Sequence, residues 1–172
     1  MPNNGELMIS NRDGVYRIKV NGRATFECAP PLRDLAKTLD TEPFSGIFVD
    51  LSACEWMDST FMGVLAMLGL RARKSGVGME IGAASDQNRN LLSGLGLTKL
   101  FEFTGNTLDD ADGKWQSGSN DVVQADKGAR TVLEAHQTLM GVDESNVEKF
   151  GKVVDLVQMD IDRMNAEKKE KD

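Results

Sequence analysis

The chain has 172 residues, 40% of them apolar and 27% charged, with a net charge of −7 and a pI of about 4.8. That is enough for one domain with an appendage, and the acidity argues against direct binding to a nucleic-acid phosphate backbone. With only Cys28, Cys54 and a single histidine, neither a disulfide framework nor a metal-ligand cluster can be built.

The N-terminus, Met-Pro-Asn-Asn-Gly-Glu-Leu, lacks a basic region followed by an apolar run, so no signal peptide is expected. Val15 to Val20 alternates apolar and polar residues, the pattern of a half-buried strand. Asn21-Gly22 is a favoured hairpin dipeptide, and Ala24-Thr25-Phe26 is expected to begin a returning strand. Pro30-Pro31 opens a helix whose apolar positions are Leu32, Leu35, Ala36 and Leu39. Ile47 to Leu51 reads as a short buried strand, followed by a polar loop. A second helix is expected from Ser59 to Lys74, its basic end complementing the dipole and Gly76 closing it. A strand over Gly78 to Ala84 follows, then a helix capped at Ser85-Asp86 and a last strand at Leu100 to Phe103. The alternation argues for a small α/β layer of about four to five strands with parallel βαβ units. Its longest apolar run, Phe61 to Leu70, is broken by Gly63 and Gly69 and is too short to span a bilayer. The expected location is therefore the cytoplasm, without membrane insertion.

Residues 106–125 are rich in Asp, Asn, Gly and Ser and read as a polar linker between a body, 1–105, and a helical extension, 126–172. Residues 104–172 carry 15 acidic and 9 basic groups, against 12 and 11 in residues 1–103, so most of the net charge lies here. One helix is expected from Asp126 to Met140, with Val132, Ala135, His136 and Leu139 on one side. A second should begin at Ser145-Asn146-Val147-Glu148, which has the form of a capping box. Its stripe of Val147, Phe150, Val154, Val157, Ile161 and Met164 follows a/d spacing. The stripe is too short for an isolated coiled coil, so it should pack on the preceding helix, on the body, or across a homodimer.

The chemistry centres on Asp58-Ser59-Thr60, at a helix N-terminus on the C-terminal side of a strand, where ligands often sit in open α/β sheets. One reading is a plain N-cap. The other is a phospho-acceptor, since a phosphate there would gain from the helix dipole while meeting the like charge of Asp58. A serine nucleophile would need a base, and His136, on the apolar side of the appended helix, reads as a packing histidine. Carboxylates at Asp50 and Asp58 do not supply that base. There is no Walker lysine pattern, and Gly76-Val77-Gly78 and Gly94-Leu95-Gly96 read as turns. No catalytic residue, cofactor or metal is expected.

Val49-Asp50-Leu51-Ser52, followed by Met57-Asp58-Ser59-Thr60-Phe61-Met62-Gly63-Val64-Leu65, resembles the signature of STAS domains, specifically bacterial anti-sigma-factor antagonists. The resemblance extends over residues 7–105, including Ser93-Gly94-Leu95-Gly96-Leu97 and the Leu-Phe-Glu-Phe segment. It implies a STAS fold and a phosphorylatable serine at Ser59, with Thr60 as second choice. It also implies a partner-docking surface at Asp58, Ser59, Thr60, Phe61, Met62 and Gly63. The implied partners are an anti-sigma factor that is also a serine protein kinase and a metal-dependent serine/threonine phosphatase. Phe61 stands where the family usually has glycine, so a bulkier docking face is expected. The rival expectation is a non-switching STAS scaffold or transporter-associated subunit that oligomerises through its C-terminal helices. A small-ligand sensor rests on fold analogy alone.

Overall fold

The computed structural model of the chain describes residues 5–109, 115–117 and 125–171. Its sheet is built from β1 (Glu6–Arg12), β2 (Val15–Ala24), β3 (Gly46–Met57), β4 (Met79–Gly82), β5 (Glu102–Thr104) and β6 (Gln116–Ser117). The order across it is β5-β4-β3-β2-β1-β6. The β1–β2 and β1–β6 pairs are antiparallel, while β2 through β5 run parallel. Parallel neighbours need crossovers, and α1 (Pro30–Thr38), α2 (Ser59–Lys74) and α3 (Asp86–Gly94) supply them. A 3₁₀ turn, Thr98–Leu100, precedes β5, and α4 (Ala125–Val142) and α5 (Ser145–Lys171) complete the chain.

Several expectations from sequence change in detail. The hairpin turns at Asp13-Gly14, both with positive φ, and pairs β2 with β1, a strand that no alternating pattern announces. Asn21-Gly22 instead sits inside β2, where register shifts against β3 absorb Gly22 at φ 77°. No strand returns at Ala24 to Phe26. The expected polar loop after Leu51 is a continuation of β3, which stays in sheet as far as Met57 and delivers the chain directly to α2. Leu100 belongs to the 3₁₀ turn, which shortens β5 to three residues. Ser145 is the first residue of α5 and not its cap; its backbone N–H and hydroxyl both donate to Asp143 Oδ1.

The core lies between sheet and helices. Ile18, Val49, Leu51, Met57 and Ile81 from the strands meet Leu32, Ala36, Phe61, Leu65, Leu68 and Leu92 from the helices, all buried. Glycine inside a helix is unfavourable, and α2 carries one at Gly63 because α4 approaches too closely for a side chain there. α2 keeps its start at Ser59 and its end at Lys74, as the cap and the basic last turn predict. Likewise Ser85 caps α3, its side chain accepting from the Asn88 N–H at 3.1 Å. Buried Asn88 then ties α3 to the sheet, its Nδ2 donating to the Cys54 carbonyl at 2.9 Å.

The C-terminal helices form a hairpin that packs on itself and on the body. Buried Asn146 donates to the carbonyls of Leu139 and Leu95, linking α5 to α4 and to the C-terminal end of α3. Lys99 and Lys149 add bonds to the Val142 and Gly94 carbonyls. Along the expected stripe of α5, Ile161 is buried and Phe150, Val154, Val157 and Met164 are half-buried, but Val147 is exposed because Asn146 takes the inward place. Most of the expected polar linker, including Val122 and Val123, lies outside the described residues.

Candidate functional site

β3 ends at Met57 and α2 begins two residues later, with Asp58 as its N-cap in extended backbone, φ −89° and ψ 174°. One carboxylate oxygen of Asp58 accepts from the Phe61 N–H at 2.8 Å and the other from the Phe26 N–H at 2.7 Å. Its backbone N–H donates to the Ala24 carbonyl at 2.9 Å. Asp58 therefore fastens the start of α2 to the end of β2. Burial pushes the Asp58 carboxyl above the ordinary aspartate range, against the pull of the Phe61 and Phe26 N–H groups and of nearby His136. The cap is Asp58, so the Ser59 hydroxyl is not the helix cap.

That hydroxyl meets α4. Ser59 Oγ lies 2.9 Å from His136 Nε2, and His136 Nδ1 lies 2.7 Å from the Val132 carbonyl oxygen. A carbonyl can only accept, which assigns the Nδ1 proton; in the neutral ring Nε2 then accepts from the Ser59 hydroxyl. The imidazole is buried and packs edge-on to Phe150, ring centroids 4.9 Å apart. The expectation that Ser59 has no base nearby is corrected: the folding of α4 onto α2 joins two residues 77 positions apart. No spacing signal in the sequence announces that pairing. Helical periodicity places His136 on the packed face, but it does not name the surface opposite.

Phe61, at the third helical position, points inward and is fully buried, which removes it from any exposed docking face in this conformation and corrects the expectation of a bulkier one. Thr60 and Met62 are also buried. At Gly63 an added Cβ would stand 2.5 Å from the Ala135 carbonyl oxygen, so this position is filled by α4. Asp50 is buried and is used elsewhere: it accepts from the N–H groups of Ser52 and Leu108, both at 2.8 Å. It fixes the segment after β5 and takes no part at Ser59.

An ionic clasp beside the serine has no signature in the sequence. Arg33 of α1 donates from Nε and Nη2 to the two carboxylate oxygens of Glu134 at 2.7 and 2.9 Å. Lys37 approaches the same carboxylate at 3.1 Å, and Lys127 reaches back to Asp34 at 2.6 Å. Burial would raise the Glu134 carboxyl, but hydrogen bonds from Arg33 and Lys37 outweigh it and hold it below the usual range. A two-point guanidinium–carboxylate contact fixes orientation as well as distance.

Chemically, a serine–imidazole hydrogen bond is the first element of nucleophilic catalysis. Here the outer imidazole nitrogen faces a backbone carbonyl and not a carboxylate. Two open cavities among the described residues, of about 430 and 310 Å³, are lined by residues such as Arg17, Phe48 and Glu80 or Arg73, Lys99 and Phe101, and neither of these two includes Ser59 or His136. Among the described residues, no group of three or more His, Cys, Asp or Glu could hold a metal ion. No helix among them is long and apolar enough to cross a membrane.

Residues 7–102 match the family model described as "Mlab, STAS domain", more than half of the chain, and the protein belongs to the STAS domain family. Among solved structures, an anti-sigma factor antagonist from Mycobacterium paratuberculosis is 27% identical with a TM-score of 0.49, covering 64% of this chain and 93% of its own. A putative anti-sigma factor antagonist from Thermotoga maritima is 21% identical with a TM-score of 0.50, covering 60% of this chain and 88% of its own. The anti-sigma factor antagonist SpoIIAA in its unphosphorylated form is 9% identical with a TM-score of 0.51, covering 62% of this chain and 92% of its own. The last two share the fold. A comparison with curated protein sequences finds no match. The family match ends before α4, so His136, Glu134 and the hairpin are additions to it.

Proposed function

We propose that the chain is a cytoplasmic anti-sigma-factor antagonist that works by binding and not by catalysis. Unphosphorylated, it engages an anti-sigma factor that is also a serine kinase, and so releases a sigma factor for transcription. Phosphate on Ser59 ends that binding, and a metal-dependent serine/threonine phosphatase restores it. The observation carrying this reading is that Asp58 performs the capping, so the hydroxyl of Ser59 at the head of α2 is not used as the cap. The position suits a phospho-acceptor, because a phosphate at a helix N-terminus gains from the dipole. It would also add negative charge to the local surface beside Asp58. Two buried free cysteines suit a reducing compartment. Partner capture from the native cell tests the switch: Ser59→Ala should retain the kinase-type partner and Ser59→Asp should lose it. Equal capture by both variants would contradict the switch.

One observation favours a second reading, a non-switching STAS scaffold or transporter-associated subunit: the Ser59 hydroxyl is already engaged by His136. Stable co-purification with one large partner, whatever stands at residue 59, would support it.

A further inference from the structure

The face of α1 and α2 beside Ser59 is a helix-docking surface, and the helix on it belongs to the same chain. Its contacts are of three kinds. Ser59 Oγ lies 2.9 Å from His136 Nε2. Gly63 receives the backbone of Ala135 with no space for a methyl group. Arg33 and Lys37 grip Glu134. Together they hold one turn of α4, through Glu134, Ala135 and His136, with Thr131, Ala135, His136 and Leu139 buried.

We propose that α4, carried by the α4–α5 hairpin, is a displaceable cover of this surface, and that phosphate on Ser59 and docking of α4 exclude one another. The proposal rests on the reading of Ser59 as the phospho-acceptor. In the transfer, Ser59 Oγ attacks the γ-phosphorus of a nucleoside triphosphate held by the kinase. The Oγ–P bond forms, the bond to the leaving diphosphate breaks, and the hydroxyl proton passes to a base of the kinase. The product adds a phosphorus and three oxygens at the atom that now touches His136. The space cannot come from α4 sliding inward, because Ala135 is already against the Gly63 backbone. Nor can the charge be accepted cheaply in place. A phosphoserine carries a charge of about −1.5 to −2, and Asp58, next in the chain, already directs its carboxylate to the N–H groups of Phe61 and Phe26. Release of α4 gives the phosphate water and separates it from the packed ring.

The test incorporates phosphoserine at position 59 of the full chain during synthesis and follows backbone amide exchange by mass spectrometry. The cover predicts at least about tenfold faster exchange in residues 126–142 than in the unmodified chain, with β3 and β4 unchanged. Undiminished protection of residues 126–142 would overturn it. Ser59→Ala, which removes the hydrogen bond but adds no bulk, should leave that protection within about threefold. If the phosphorylated chain also loses protection in the sheet, Glu134→Lys replaces it: repulsion from Arg33 and Lys37 should free α4 with Ser59 unmodified, and intact protection there would overturn the proposal. The outcomes separate the two ideas. Phosphate mapped to another residue in the native cell would remove the acceptor assignment without changing the exchange result. A protected α4 over phosphoserine would remove the cover and leave the acceptor assignment standing.

Discussion

Asp58 and Ser59 divide between them what either could have done alone. A hydroxyl or a carboxylate can cap a helix equally well, so sequence alone leaves the two roles open. The carboxylate takes the cap because it can reach two N–H groups at once, those of Phe61 and Phe26. Asp58→Ala should lower stability by about 0.5–2 kcal/mol, the range for losing a cap, measured by urea denaturation. Phe61 shows what a motif hides. A residue named in a signature is at the surface only if its turn of the helix faces outward, and the third position of α2 is fully buried. Cys28 and Cys54 are legible from composition as small buried hydrophobes. Burial, the leading cause, pushes both thiols up to about 11. A thiol-specific reagent should therefore leave both unmodified in the folded protein near neutral pH and react with both after denaturation; prompt native-state labelling would contradict their burial.

At the scale of elements, helices are more legible than strands. The boundaries of α2 are readable because a cap, a basic last turn and Gly76 mark both ends. β1 is not, since Glu6–Arg12 has no strict alternation and gains its strand character from pairing with β2. The docking of α4 on α2 is illegible for a different reason: amphipathicity says that a face is buried, not against what. Gly63→Ala tests that contact. Alanine is favoured in a helix by about 1 kcal/mol, but overpacking costs about 1–3 kcal/mol, and the added methyl meets the Ala135 carbonyl oxygen at 2.5 Å. Net destabilisation is expected, with faster amide exchange in α4. The clasp of α1 on α4 should respond to pH. Glu134 has a folded-state pKa below its ordinary value of 4.5. Its stabilising contribution is therefore present above that ordinary value and is lost as pH falls through the folded one. Glu134→Gln should cost about 1–2 kcal/mol at neutral pH, a charge-assisted bond discounted for partial exposure, and the difference from wild type should shrink once the carboxylate of the wild type is protonated.

For the whole molecule, the α/β layer is readable from the strand–helix order, because short-range capping and periodicity determine it, and the family is readable only through the resemblance carried by the segment around Asp58-Ser59-Thr60. The joining of hairpin to body is not. It depends on contacts between positions up to 101 residues apart, as in Arg33–Glu134, and no local pattern specifies them. The extension shares its core with the STAS layer: Ala135 and Leu139 are buried together with the residues of α2. Removing residues 125–172 should therefore lower the denaturation midpoint or cause self-association by light scattering; a monomer of unchanged stability would contradict a shared core. Whether Ser59 receives phosphate from a partner is tested most directly by phosphosite mapping, using mass spectrometry on protein isolated from its native cell. Phosphate on Ser59 is the expected result; phosphate confined to residues other than Ser59 would contradict the switch at its centre.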